Sequence, residues 1–164
     1  ENWITSKSEP VLGGVYKLVA QETESGIVPK IKISENIGKI TNPGYKSLYR
    51  FYDNNSEKAL ADYIALADEV VPLDEIEIFD QDATWKRKTL TNYTVRELQV
   101  PIFVEGECVY ELPSLEDIRQ YSKSELESIW DEVKRLHYPH RYYVDLSQKL
   151  YDLKLELLHT NEKK

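Results

Sequence analysis

The chain predicts an α+β fold: a mainly antiparallel β-sheet over residues 1–112, followed by two helices over residues 113–160. Three observations carry this reading. Apolar and polar residues alternate through much of the first two thirds, which is the period of half-buried strands. Turns rich in Gly, Pro, Asn and Asp punctuate those runs. After Ser114 the apolar spacing changes to that of helices.

Taken in order, Val15 to Ala20 is β-rich and ends at the polar turn Glu22–Gly26. The return run Ile27 to Ile33 places Ile27, Ile31 and Ile33 on one face and Lys30 and Lys32 on the other. Pro29 has no backbone donor, so this strand is an edge or begins after the proline. Asn36 to Gly44 is a loop in which Pro43 presets φ and Gly44 accepts a left-handed position. Tyr45 to Tyr52 alternates aromatics and Leu48 with Lys46 and Arg50. Asp53-Asn54-Asn55 turns the chain, and Ala59 to Leu66 returns as a strand, a short Ala-rich helix over Ala59–Ala67 being the alternative. Further strands are expected at Ile76–Phe79 and Thr94–Val104, with Glu105-Gly106 turning into Glu107–Leu112.

Ser114 is placed to cap a helix, with Asp117 at the reciprocal position of the capping box. Leu115, Ile118, Ile129, Val133 and Leu136 follow at helical spacing beside Trp130, and Pro139 stops the helix. A second helix is expected from Asp145, boxed by Gln148 and burying Leu146, Leu150, Leu153 and Leu157. Its stripe covers about two heptads, too short for a coiled coil, so packing onto the sheet is the better account. Asn161–Lys164 should fray.

The 164 residues suit one domain, with 41% hydrophobic and 30% charged residues. A net charge of −8 disfavours phosphate backbones and anionic lipid surfaces, so neither nucleic acid nor membrane is an expected partner. The single cysteine, Cys108, excludes an internal disulfide and reads as a small buried hydrophobe in an alternating run. The two sequons, at Asn54 and Asn92, read as chance matches in a cytoplasmic protein. Residue 1 is Glu and no Met occurs, which reads as a piece cut from a longer protein whose chemistry lies upstream.

No nucleophile–base–orienter set assembles from these residues, and no metal site is expected. His137 and His140 are separated by Pro139, which spoils a shared helix face, and surface or capping roles suit them and His159 better than a metal. The run Ile78-Phe79-Asp80-Gln81-Asp82 ends in acids, as do strands that hold a ribose or a magnesium-bound diphosphate. Without a Gly-rich loop, solvated acidic turns are the stronger reading. Lys39, Lys46 and Arg50 flank the Asn42-Pro43-Gly44 turn and are candidates for an anion contact, with a solvated strand face as the bland reading. Twelve tyrosines suit an interface as well as a core edge.

Several long strings together resemble the C-terminal portion of bacterial nicotinate phosphoribosyltransferases. They are ITSKSEPVLGGVYKLVA, PKIKISENIGKITNPGYKSLYR, TWKRKTLTNYTVRELQVPIF, YELPSLEDIRQY and WDEVKRLHYPHRYYVDLSQKLYDLKLELL, in the family's order over residues 4–158. The resemblance implies an enzyme of NAD salvage. The family joins nicotinate to 5-phosphoribosyl-1-diphosphate, giving nicotinate mononucleotide and pyrophosphate, with ATP hydrolysis and Mg2+ serving the full-length parent and no cofactor bound by this piece alone. It also implies a type II phosphoribosyltransferase α/β-barrel upstream, an N-terminal domain, a homodimer, and no catalytic residue within this piece. A phosphate loop is implied just before Glu1, with Asn2 and Thr5 at the rim of its site. Here the sequence departs from the family's frequent Gly-Thr-Lys-Leu-Ile-Thr. A carboxylate at Glu1 repels phosphate, so direct contact by Glu1 is not expected. Some members carry a cysteine-rich zinc element, which Cys108 alone cannot form. The alternative is a stand-alone, non-catalytic interaction module with an acidic, tyrosine-rich surface.

Overall fold

A computed structural model describes residues 14–162. The chain divides into two compact units, residues 1–44 and 45–164. Asn2 and Thr5 lie outside the described residues.

The first unit holds an antiparallel hairpin, β1 (Ala20–Thr23) and β2 (Gly26–Pro29), in register Ala20↔Pro29. The hairpin starts later than Val15 because Val15, Tyr16 and Leu18 stand in solvent with no strand opposite. Pro29 closes the strand rather than preceding it, at an end where a missing donor costs little. Beyond it the ladder gives way to side-chain bonds, as Thr41 Oγ1 accepts the Lys32 N–H at 3.0 Å. Asn36 then caps one 3-10 turn, Ile37–Lys39, its Oδ1 accepting the Gly38 N–H. Gly44 has φ 88°, the left-handed conformation expected of that turn.

The second unit follows with β3 (Lys46–Asp53), β4 (Ala59–Leu66), β5 (Glu75–Asp80), β6 (Ala83–Thr91) and β7 (Tyr93–Glu97). After them come β8 (Phe103–Val104), β9 (Glu107–Cys108), α1 (Leu115–Ser128), α2 (Asp131–Lys134), β10 (Val144–Leu146) and α3 (Gln148–Glu162). The class is mixed α+β, mostly strands with three α-helices among the described residues. One four-stranded sheet runs β10-β4-β3-β7, and β5–β6 and β8–β9 are separate hairpins. All these pairs are antiparallel except β10 with β4, which is parallel.

Residues on one face of β3 and β4 build the core. Phe51 sits opposite Ala61 on one side and Val95 on the other. The alanines at 61 and 65 leave room for rings, and Phe51 meets Tyr63 and Tyr93 edge-on at 5.8 and 4.8 Å. Ile76, Ile78 and Leu90 of the β5–β6 hairpin complete the cluster. Burial pushes the Tyr63 phenol up to about 12.

The C-terminal region departs from expectation in three places. Asp145 does not cap a helix, because Val144–Leu146 is a strand that pairs with Asp62–Ile64. The cap is Ser147, whose Oγ accepts the Leu150 N–H at 3.0 Å and donates to Glu69 Oε1 at 2.6 Å. Of the predicted stripe, Leu146 and, within α3, Leu150 are buried, whereas Leu153 and Leu157 are half-buried. The helix begun by the Ser114–Asp117 capping box ends at Ser128 instead of running to Leu136. Ile129 and Trp130 are extended, and the indole Nε1–H of Trp130 donates to the Ala59 carbonyl at 2.8 Å, which fixes the break well before Pro139. Cys108 is exposed, since β8 and β9 are only two residues long and bury nothing.

Candidate functional site

β3 and β4 place Arg50 directly opposite Asp62 on the face away from the aromatic core. The guanidinium fork donates twice, Nε to Oδ1 at 2.7 Å and Nη2 to Oδ2 at 2.9 Å. Its remaining nitrogen, Nη1, reaches Glu125 Oε2 of α1 at 3.0 Å, and Glu125 also accepts from Arg96 of β7 at 2.7 Å. Tyr142 adds its hydroxyl to Asp62 Oδ1 at 2.9 Å, and the Arg96 guanidinium lies over the Tyr52 ring. The hydrogen bond to Asp62 raises Arg50 further above its ordinary range, and that to Glu125 does the same for Arg96. Burial raises the Tyr142 and Tyr52 phenols. This cluster ties α1 and the segment before β10 to the sheet. An anion at Arg50 would have to displace Asp62 or Glu125.

Of the three cations read from the sequence, Lys39 belongs to the first unit, and Lys46 and Arg50 to the second. Lys46 and Arg50 share one face of β3, as alternation requires, and burial lowers the Lys46 ammonium. The sequence reading missed Asp62, Glu125 and Tyr142. Asp62 left a signal, a lone carboxylate in the apolar run Ala59–Leu66, but Glu125 and Tyr142 come from segments 75 and 80 residues further along than their partners.

A second arrangement lies where β5, β6 and β10 meet. Asp80 is buried rather than solvated, and its Oδ1 accepts the Asp82 N–H while Oδ2 accepts from Arg141 Nη1 at 3.1 Å. The expectation of a solvated acidic turn therefore fails at Asp80 and holds at Asp82, which is largely exposed. Asp145 is 3% exposed, and burial, then the neighbouring Asp80 charge, push its carboxyl up to about 6 against the opposing pull of Arg141. Asp80 and Asp145 line a cavity of about 110 Å³ with Lys86, Lys88 and Tyr143. Lys88 and Tyr143 also line a wider cleft of about 480 Å³, walled by Trp130 and Tyr142 and carrying His140 and Arg141.

A third feature is apolar. Val100, Phe103, Val109, Leu112 and Leu115 stand exposed along the β8–β9 hairpin and the start of α1, Phe103 at 67% and Leu112 at 89%. α1 has no buried residue, although Leu115 and Ile118 follow the expected spacing. No group of three His, Cys, Asp or Glu placed to hold a metal ion occurs among the described residues. No described helix is long and apolar enough to cross a membrane.

The described residues thus form a mixed α+β domain whose four-stranded sheet is tied to α1 by a polar clamp. Residues 45–154 match the family described as nicotinate phosphoribosyltransferase C-terminal domain, and the chain belongs to that family. It is 39% identical to the nicotinate phosphoribosyltransferase of Bacillus subtilis, over 95% of this chain and 32% of that protein. The human nicotinate phosphoribosyltransferase is 34% identical, over 90% of this chain and 27% of that protein. The crystal structure of human nicotinic acid phosphoribosyltransferase superimposes with a TM-score of 0.72 at 28% identity, covering 90% of this chain and 27% of that one. The chain thus spans between a quarter and a third of the length of the curated relatives it matches.

Proposed function

We propose that this chain is the C-terminal domain of a full-length, cytoplasmic nicotinate phosphoribosyltransferase. The parent joins nicotinate to 5-phosphoribosyl-1-diphosphate, releases nicotinate mononucleotide and pyrophosphate, and draws on ATP hydrolysis with Mg2+. The observation that carries the reading is the family match over residues 45–154, which takes in the whole four-stranded sheet, its clamp and the first two turns of α3. In this reading the reacting groups belong to an upstream barrel, Asn2 and Thr5 stand at the rim of its phosphate site, and the isolated chain is inactive. The domain's work is structural. The exposed strip of Val100, Phe103, Leu112 and Leu115 packs against the barrel or the N-terminal domain, and the parent is a homodimer. The Arg50–Asp62–Glu125 clamp holds α1 at the angle that presents the strip. An anion contact at Lys39 or Lys46 remains part of the proposal, whereas the saturated fork of Arg50 weighs against one there.

A bacterial strain that lives only on nicotinate and lacks its own nicotinate phosphoribosyltransferase tests this reading. The full-length gene should restore growth, and the same gene without residues 45–164 should not. Failure of the full-length gene would reject the assignment. Growth with the truncated gene would leave the domain without the supporting role and favour a separate interaction module.

A further inference from the structure

We propose that the cavity bounded by β5, β6 and β10 binds a small phosphorylated polyol, its hydroxyls donating to Asp145 and its phosphate meeting Lys86 and Lys88. The starting observation is a carboxylate that opens into a cavity and receives no hydrogen bond from the described residues. Asp145 is almost wholly enclosed and lines the cavity, and no hydrogen-bond donor reaches its carboxylate among the described residues. A ligand in the cavity can therefore supply the donor that the protein does not, and burial raises the carboxyl's range in the same direction as that missing donor.

The donors nearby are already committed. Arg141 serves Asp80 at 3.1 Å and approaches Asp82 at 3.9 Å. Arg87 donates to Glu77 at 2.6 Å and to Gln148, and its guanidinium lies over the Phe79 ring. Asp80 itself is held by Arg141 and the Asp82 N–H. That leaves Lys86 and Lys88, which line the same cavity and make no ion pair among the described residues.

The chemistry of this lining selects a ligand class. A divalent cation finds two carboxylates, but one is bound to Arg141 and two ammonium groups face the same space. A bare anion suits the lysines and is repelled by Asp145. A neutral hydroxyl satisfies a buried carboxylate without bringing charge, as ribose hydroxyls do with acidic residues elsewhere. A hydroxyl and a phosphate on one small molecule answer both ends of the cavity. The volume of about 110 Å³ suits a three-carbon or five-carbon skeleton. The shared lining at Lys88 and Tyr143 gives a larger member room to extend into the adjoining cleft of about 480 Å³. The site is independent of the proposed reaction, whose substrates are assigned to the upstream barrel.

Calorimetric titration of the chain with glycerol 3-phosphate and ribose 5-phosphate, against glycerol, ribose and inorganic phosphate, tests the proposal. At least one phosphorylated polyol should bind ten-fold or more tightly than both its parent polyol and inorganic phosphate. Asp145→Asn and the double variant Lys86→Gln/Lys88→Gln should each weaken it about ten-fold, with thermal melts confirming that both fold. The lysine pair is exposed and keeps the test valid if the buried substitution perturbs folding. Absence of binding overturns the proposal, as does binding of phosphate and phosphorylated polyol with equal affinity, or binding indifferent to Asp145→Asn.

Discussion

Replacing Asp145 by Asn should make the stability of this protein less sensitive to pH, and the structure sets the size of the effect. In the fold its carboxyl is raised from an ordinary 3.8 to about 6, first by burial and then by Asp80. A raised acid binds its proton more tightly folded than unfolded, so the protonated form favours the fold. That contribution is fully present below pH 3.8 and is lost as pH rises to about 6. The displacement corresponds to about 3 kcal/mol, an upper figure because Arg141 and solvent at the cavity mouth relax part of it. Asn cannot ionise, so the variant escapes the loss. Urea denaturation of both proteins from pH 3.5 to 7.5 gives the comparison, and subtracting one curve from the other cancels the carboxylates that do not interact with Asp145, leaving its own titration and its coupling to Asp80. The stability of the Asp145→Asn variant relative to wild type should climb by about 2 to 3 kcal/mol across that range and level off above pH 6.5. A flat difference would refute the reasoning, since it would mean that Asp145 is solvated or already paired.

Four further outcomes concern packing, the clamp, the helix cap and the apolar strip. Leu150→Ala empties a fully buried position on α3 and should cost about 2 to 5 kcal/mol in the same urea assay. Asp62→Ala strands the Arg50 fork and the Tyr142 hydroxyl and should cost about 3 to 5 kcal/mol, whereas Glu125→Gln, with a more exposed partner in Arg96, should cost less than half of that. Ser147→Ala removes both the cap of α3 and the bond to Glu69 and should cost about 1 to 2 kcal/mol, read as a lower urea midpoint. Phe103→Asp should change the isolated chain by less than about 0.5 kcal/mol, because the side chain is two-thirds exposed, yet lower the melting temperature of the full-length parent.

Sequence pattern recovered the parts of this fold that bury one face. Tyr45–Tyr52 and Ala59–Leu66 became β3 and β4 because alternation there coincides with a real inside and outside. The Ser114–Asp117 box marked the start of α1 because a cap is a local interaction. β10 was illegible for the opposite reason. Three residues carry no period, and Asp145 has the chemistry of a helix cap, so only the parallel pairing with β4 shows that the helix waits for Ser147. The continuous stripe from Leu115 to Leu136 concealed a break made by one long-range bond, Trp130 to the Ala59 carbonyl. At the candidate sites the pattern likewise gave half of each contact. Arg50 and Lys46 were placed on one strand face, but the Asp62 and Glu125 carboxylates that occupy Arg50 lie 12 and 75 residues away in sequence. Asp80 was noticed, while its burial against Arg141 depends on a segment 61 residues further on.

The most direct test of the central claim is product formation by the full-length protein that carries this domain. Supplied with nicotinate, 5-phosphoribosyl-1-diphosphate, ATP and Mg2+, it should form nicotinate mononucleotide and release pyrophosphate, while the isolated chain of 164 residues forms none. No nicotinate mononucleotide from the full-length protein, or turnover by the isolated chain, would contradict the account.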